Sequence, residues 1–345
     1  YGLKTSYIVR LFVVDRIMSL ALVGPAVAAL QSLLRVPDCL VALNAPYVRP
    51  WRAPAIVLLN RLLLEREECS SKDGVLSAEL EATDPRTQHV AEVLRAENGD
   101  SLRAGVLDGG STNTATVQWL QSSADGASAD ATVKPSKLSL QLGKASELLH
   151  PHPQARPAID LILAMPRPLQ LGRLLPAVAS MGVGTIWVTG ARRVEKSYFS
   201  SHLLKEENAA SLRASLVEGL AQAGDTAVPR LHVRRSLRRL LEELDEERGG
   251  TDDGPDALRL LCHPRREGEC TQAPQRLGEV SVRPNSRILL AVGPERGWEE
   301  PGELDLLQAH GFELVTLGAR TLRTETAVVA LMAVAHSRIE AANQQ

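Results

Sequence analysis

Aromatic side chains are scarce in this 345-residue chain, at 3% of the total, so few rings are available for the base-stacking platforms of RRM and OB-type RNA binders. Cysteine is sparse as well. The four thiols, Cys39, Cys69, Cys262 and Cys270, form no CxxC pair and sit in a chain too long to depend on disulfide staples, so reduced thiols are expected. Cys262-His263 and Cys270 flank a charged loop with no fourth ligand in spacing, and no metal is expected. A formal net charge of −2 gives the molecule no overall attraction for polyanions; any nucleic-acid role must rest on a local basic surface. Uninterrupted apolar runs are missing too. The longest candidate, Ile17 to Leu34, is broken by Gly24-Pro25 and Gln31-Ser32, and no stable membrane association is expected. No internal repeat is evident.

What is present is an ordinary globular balance, 44% hydrophobic and 23% charged, in a length that suits two domains plus an extension. Residues 1–60 carry six basic side chains (Lys4, Arg10, Arg16, Arg35, Arg49, Arg52) against two acids (Asp15, Asp38). That bias marks 1–57 as an organelle-targeting extension, chloroplast or mitochondrial, with a disordered tail or a membrane or secretory segment as alternatives. The first methionine, Met18, is the expected start, with residues 1–17 upstream of it.

Residues 58–145 show short β-like runs between polar turns: Arg61–Leu64, Leu102–Leu107, Thr114–Leu120 and Lys137–Gln141. Asp108-Gly109-Gly110 supplies a tight turn, Ser122–Lys134 a polar loop, and His89–Arg95 a helical segment, together predicting a small β-barrel-like domain. Past a Pro- and His-rich link at 150–153, residues 155–341 alternate strands and helices, the pattern of an α/β domain on a largely parallel sheet. Strands are predicted at Ile159–Ala164, Gly184–Thr189, Ala257–Cys262 and Ile288–Val292, and helices at Leu169–Met181 and Ser211–Ala223. Charge, Gly and Pro make most of Glu242–Ser286 an expected exposed insertion around one short strand.

Two loops carry the chemistry. Leu289-Leu290-Ala291-Val292 is a buried strand running into Gly293-Pro294-Glu295-Arg296-Gly297-Trp298, a turn that lays bare backbone beside a ligand. About twenty residues on, Val315-Thr316-Leu317-Gly318-Ala319-Arg320-Thr321-Leu322-Arg323-Thr324-Glu325-Thr326-Ala327 repeats the design and enters an apolar helix. Alone, the first is compatible with a strand-ending turn and the second with a helix N-cap. In this order and spacing they are specific.

GPERGW followed by LGARTLRTETA resembles the RsmE family of ribosomal RNA uridine N3-methyltransferases in the SPOUT superfamily, over roughly residues 58–340. Further matching pieces are Asn60-Arg61-Leu62, His89–Arg95 with Gly99-Asp100, and Ala191–Lys196. The chain departs from the family pattern at Arg167, Ser180-Met181, Asp225 and Arg296. The resemblance implies a C-terminal SPOUT trefoil-knot methyltransferase domain behind a smaller N-terminal PUA-like domain, a homodimer, S-adenosyl-L-methionine as cofactor and small-subunit ribosomal RNA as partner. On that basis Leu290, Val292, Gly293, Pro294, Gly297, Leu317, Gly318, Leu322, Thr324 and Thr326 hold the cofactor. Arg323 stabilises the uracil oxygens, and Glu325 or Glu295 accepts the N3 proton or fixes the cofactor's polar groups. A structural ion pair is the alternative for Arg323. Arg61, Arg95, Arg167, Arg192, Arg193 and Lys196 are the candidate RNA contacts, a solvated charged face being the alternative. A SPOUT enzyme acting on another RNA, and an RNA-binding assembly factor without activity, are the competing functions.

Overall fold

The computed structural model describes residues 61–120, 137–150, 157–205, 208–249, 257–264 and 274–344. The expected targeting extension 1–57, Asn60, the loop Ser122–Lys134, the link at 151–153 and Cys270 lie outside the described residues.

Six strands form the first sheet: β1 (Leu62–Leu64), β2 (Cys69–Lys72), β3 (Val75–Glu81), β4 (Ser101–Val106), β5 (Ser111–Leu120) and β6 (Lys137–Lys144), in the order β1-β4-β5-β6-β3-β2. Only β1 and β4 pair in parallel. Strict alternation along β3 and β6 puts Leu76, Ala78 and Leu80 beside Leu138, Leu140 and Leu142 on one buried face, leaving Glu79, Glu81 and Gln141 outside. A one-residue slip would reverse both faces, so this pattern fixes the register.

The second sheet has seven strands, all parallel: β7 (Ile159–Ala164), β8 (Thr185–Thr189), β9 (Arg230–Arg234), β10 (Leu258–Cys262), β11 (Gln275–Arg276), β12 (Ile288–Val292) and β13 (Glu313–Thr316), in the order β11-β13-β10-β12-β7-β8-β9. β7 and β12 are buried at every position because helices cover both faces. On one face Ile159, Leu161 and Leu163 meet α1 (Pro168–Ser180), α2 (Ala209–Ala223) and the C-terminal helix Thr324–Asn343. On the other, Ile162 and Ala164 meet α3 (Leu237–Gly249) and α4 (Gly302–Ala309). The C-terminal helix is α5 in chain order.

Glu242–Ser286 holds the expected short strand, β10, but differs from an exposed insertion in containing the second half of α3 and the buried Leu277 and Val280. The run LRRLLEELDEERG is charged on average, yet Leu237, Leu240, Leu241 and Leu244 recur at i, i+3, i+4 and i+7 and form a single buried stripe. Four strands absent from the expectations, β2, β3, β9 and β11, are exposed, half-exposed or rich in Ser, Glu and Arg.

The two sheets are joined by direct contacts. Arg61 donates its backbone N–H to Ala221 at 3.0 Å, Thr226 Oγ1 donates to the Gly109 carbonyl at 2.6 Å, and Asp108 accepts from Val228 N–H at 2.9 Å. Arg213 and Glu65 add an ion pair at 2.7 Å.

Candidate functional site

β13, β10 and β12 are adjacent and parallel, so the segments that follow them open on the same edge of the sheet, where α/β folds place ligands. Cys262-His263-Pro264, the Val292–Trp298 turn and the Val315–Ala327 loop line one cleft of about 630 Å³, open mouth included. Val292, Val315 and Leu331 give it an apolar wall, and Thr316, Arg320, Thr321 and Thr324 supply polar groups.

Two glycines are dictated by the geometry. A Cβ at Gly293 would lie 3.1 Å from Trp298 Cδ1 and from its backbone nitrogen, so any side chain there would require the indole or the turn to give by a few tenths of an ångström. Gly318 holds φ at 132°, a backbone region that is strained for any side chain, and donates its N–H to Thr316 Oγ1 at 3.2 Å. Trp298 is fully buried, and its Nε1 has no hydrogen-bond partner among the described residues. The side chain of His263 is 3% exposed, with Nε2 2.8 Å from Glu300 Oε1. Burial pushes the Cys262 thiol far above the ordinary range, which leaves it a neutral wall group.

Of the residues expected at the cofactor, Val292, Gly293, Pro294, Gly297, Leu317, Gly318, Leu322 and Thr324 line the cleft. Leu290 is fully buried inside β12 and does not. Among the three catalytic candidates, only Glu295 reaches the cleft wall. Arg323 is the N-cap residue of α5 and exposed, while Glu325 and Thr326 line a shallow groove between α1 and α5 with Arg173, Ala177, Val329 and Ala333. Sequence reasoning missed the third loop, Cys262-His263-Pro264, and the inward Trp298.

Neighbouring loops are tied to the cleft by backbone bonds. Glu295 Oε1 accepts from Arg167 N–H at 3.2 Å, and Arg193 donates to the Arg296 carbonyl at 2.8 Å. Glu303, buried in α4, accepts from Arg192 N–H at 2.6 Å and from Glu299 N–H at 2.7 Å. Arg61 is spent within the fold: it donates to the Ala104 and Thr112 carbonyls and to Asn113. Arg95 is exposed on the first sheet's domain, Arg167 and Lys196 are exposed at the second sheet, and Arg192 faces Glu299 at 3.6 Å. Among the described residues no group of three or more His, Cys, Asp and Glu side chains is placed to hold a metal, and no helix is long and apolar enough to cross a membrane.

Residues 153–336 match the family model described as an RNA methyltransferase domain. The chain is 30% identical over 280 residues to "Ribosomal RNA small subunit methyltransferase E" of Treponema pallidum, covering 80% of this chain and 90% of that protein. It is 22% identical over 256 residues to "Ribosomal RNA small subunit methyltransferase E 1" of Borreliella burgdorferi, covering 74% and 91%. The fold is similar to that of a ribosomal RNA small subunit methyltransferase E from Neisseria gonorrhoeae, crystallised bound to S-adenosyl methionine, with a TM-score of 0.55 at 21% identity over 81% of this chain and 97% of that one.

Proposed function

The chain belongs to the ribosomal RNA small subunit methyltransferase E family, and from that premise we propose that it methylates N3 of a uridine in small-subunit ribosomal RNA with S-adenosyl-L-methionine as donor. The observation that carries this reading is the single cleft formed where GPERGW and LGARTLRTETA meet at the ends of β12 and β13.

The residues present fit the cofactor. The cleft offers apolar walls, bare backbone at Gly293 and Gly318, and one buried indole N–H with no acceptor among the described residues. When bound, S-adenosyl-L-methionine supplies an electrophilic methyl group. The turn at Gly293-Pro294 and the loop at Leu317-Gly318 and Leu322 hold it, with the Trp298 N–H available to a polar edge. Fixing donor and acceptor together supplies much of the rate advantage.

N3 of uridine must lose a proton as it is methylated. Glu295 takes that proton in this reading, because its carboxylate stands on the cleft wall and is oriented by the Arg167 N–H. Arg323 stabilises the charge that develops on the uracil oxygens. Arg323 and Glu325 lie on the α1–α5 side, where Leu169 is 66% exposed and Val329 38% exposed. A homodimer through that apolar face, with the neighbouring subunit completing the site, is part of the proposal.

Two finer features of the fold belong here as well. A trefoil knot suits a sheet in which β13 lies beyond β10 while the α5 that follows returns to pack on β7 and β12. A PUA-like barrel suits the six-stranded first sheet. Delivery to an organelle rests on the basic bias of residues 1–60.

The test is methyl transfer by the purified chain from S-adenosyl-L-methionine to small-subunit ribosomal RNA, read by nucleoside mass spectrometry. N3-methyluridine is the expected product; a methylated nucleoside of another kind, or none, overturns the assignment.

A further inference from the structure

We propose that the groove between the loop after β8 and the start of α3 binds the phosphodiester backbone of a single-stranded RNA segment, with Phe199 and Arg235 as a stacking platform for an unpaired base. The inference rests on the RNA reading above, takes in the expected contacts Arg192 and Lys196, and adds Phe199, Arg235 and Arg238 to them.

The groove encloses about 1330 Å³, open mouth included, and its walls carry Arg192, Lys196, Arg235 and Arg238. Its two carboxylates are already engaged. Glu303 is buried and spent on the N–H groups of Arg192 and Glu299, and Glu299 faces Arg192. Among the described residues, Lys196, Arg235 and Arg238 have no carboxylate partner, so the groove presents uncompensated positive charge in a molecule whose net charge is −2. Such local charge is what a polyanion reads.

The Arg235 guanidinium lies 5.9 Å from the centroid of the Phe199 ring. A guanidinium over an aromatic ring inside a basic groove is the surface on which unpaired bases stack, and only three phenylalanines occur in the chain. The groove and the cofactor cleft share one loop. Its Glu295–Trp298 part lines the cleft, and its Glu299–Gly302 part lines the groove. A strand lying in the groove is therefore led to the methyl-transfer site.

The experiment uses the full chain and a labelled oligouridine of about 12 nucleotides, within the site sizes typical of single-strand binders, with binding measured across a salt series. The double substitution Arg235→Gln and Arg238→Gln should lower affinity at low salt at least tenfold. It should also flatten the log–log salt slope by about 1.4, two phosphate contacts at ~0.7 each. Phe199→Leu should weaken binding roughly tenfold, a typical stacking loss, with the slope unchanged. Calorimetric binding of S-adenosyl-L-methionine should be unaffected in both, since none of these residues lines the cleft. Wild-type affinity and slope in the variants, with methyl transfer by the wild type intact, overturn the groove and leave the methyltransferase reading standing. A wild type that neither binds RNA nor transfers a methyl group overturns both.

Discussion

Glu303 Oε1 accepts the backbone N–H of Arg192 across 2.6 Å, and the second oxygen of the same carboxylate takes the N–H of Glu299 at 2.7 Å. One buried acid thus ties the loop after β8 to the loop after β12, two segments more than a hundred residues apart in sequence. Glu303→Ala leaves two N–H groups without that acceptor, each costing about 1–3 kcal/mol if it stays buried. Thermal denaturation should show a clear loss for the alanine variant and a smaller one for Glu303→Gln, which keeps one acceptor oxygen. Equal melting of Glu303→Ala and wild type would remove the carboxylate from this role.

Trp298 makes a prediction with opposite signs in two assays. Its indole N–H is buried without an acceptor among the described residues, a cost to the ligand-free protein. Trp298→Phe keeps an aromatic ring and removes that donor. The variant should be at least as stable as wild type without ligand, yet bind S-adenosyl-L-methionine about two- to tenfold more weakly, as expected for one lost hydrogen bond of ~0.5–1.5 kcal/mol. Unaltered calorimetric affinity would place the N–H outside the cofactor's reach.

Gly318 occupies a backbone conformation that a β-branched side chain resists. Gly318→Val should introduce about 1–3 kcal/mol of local strain. The loop can escape it only by moving away from the cleft, so cofactor affinity should fall more than stability does. Calorimetry and melting on one preparation check this; a loss confined to stability would mean that the loop keeps its shape.

The elements legible in the sequence are those whose residues share one environment. β7 and β12 are buried on both faces and therefore read as apolar runs, broken only by Asp160 in β7, and the two ligand loops announce themselves through Gly and Pro. β9, with the sequence RLHVR, is an edge strand whose mixed exposure erases any pattern, and the buried stripe of α3 is diluted by the acids and arginines around it. His263 was not legible as a cleft residue for a topological reason. β10 precedes β12 and β13 in the chain but lies between them in the sheet, and no local pattern reveals that order. The basic groove was legible only in Arg192 and Lys196, because Phe199, Arg235 and Glu303 join them only in the folded chain.

The exposed Leu169 and Val329 beside the α1–α5 groove make oligomeric state and catalysis one question. Leu169→Arg should shift sedimentation toward monomer and reduce methyl transfer. If the neighbouring subunit supplies Arg323, mixing the inactive variants Arg323→Ala and Glu295→Gln should restore part of the activity, because one site in each mixed dimer is then intact. No recovery on mixing would place both residues in the same subunit's site.

The first sheet's domain carries a pH dependence of determined sign. Arg86 donates to Glu68 Oε2 at 2.8 Å and to Asp84 Oδ2 at 2.7 Å, and these hydrogen bonds hold both carboxyls below their ordinary values. A carboxyl depressed by folding contributes stability above its unfolded value, near 4, and loses it as pH falls through the lower folded value. Arg86→Gln should therefore be less stable than wild type at neutral pH, with the gap closing as pH falls below about 4 and both carboxyls protonate. Trp119, whose Nε1 donates to the Ala96 carbonyl at 2.8 Å in the same domain, is a local fluorescence reporter for the melting. A gap that stays constant down to low pH would mean that Arg86 acts through its bond to the Leu63 carbonyl and its packing, and that the two acids contribute nothing to the stability of the sheet.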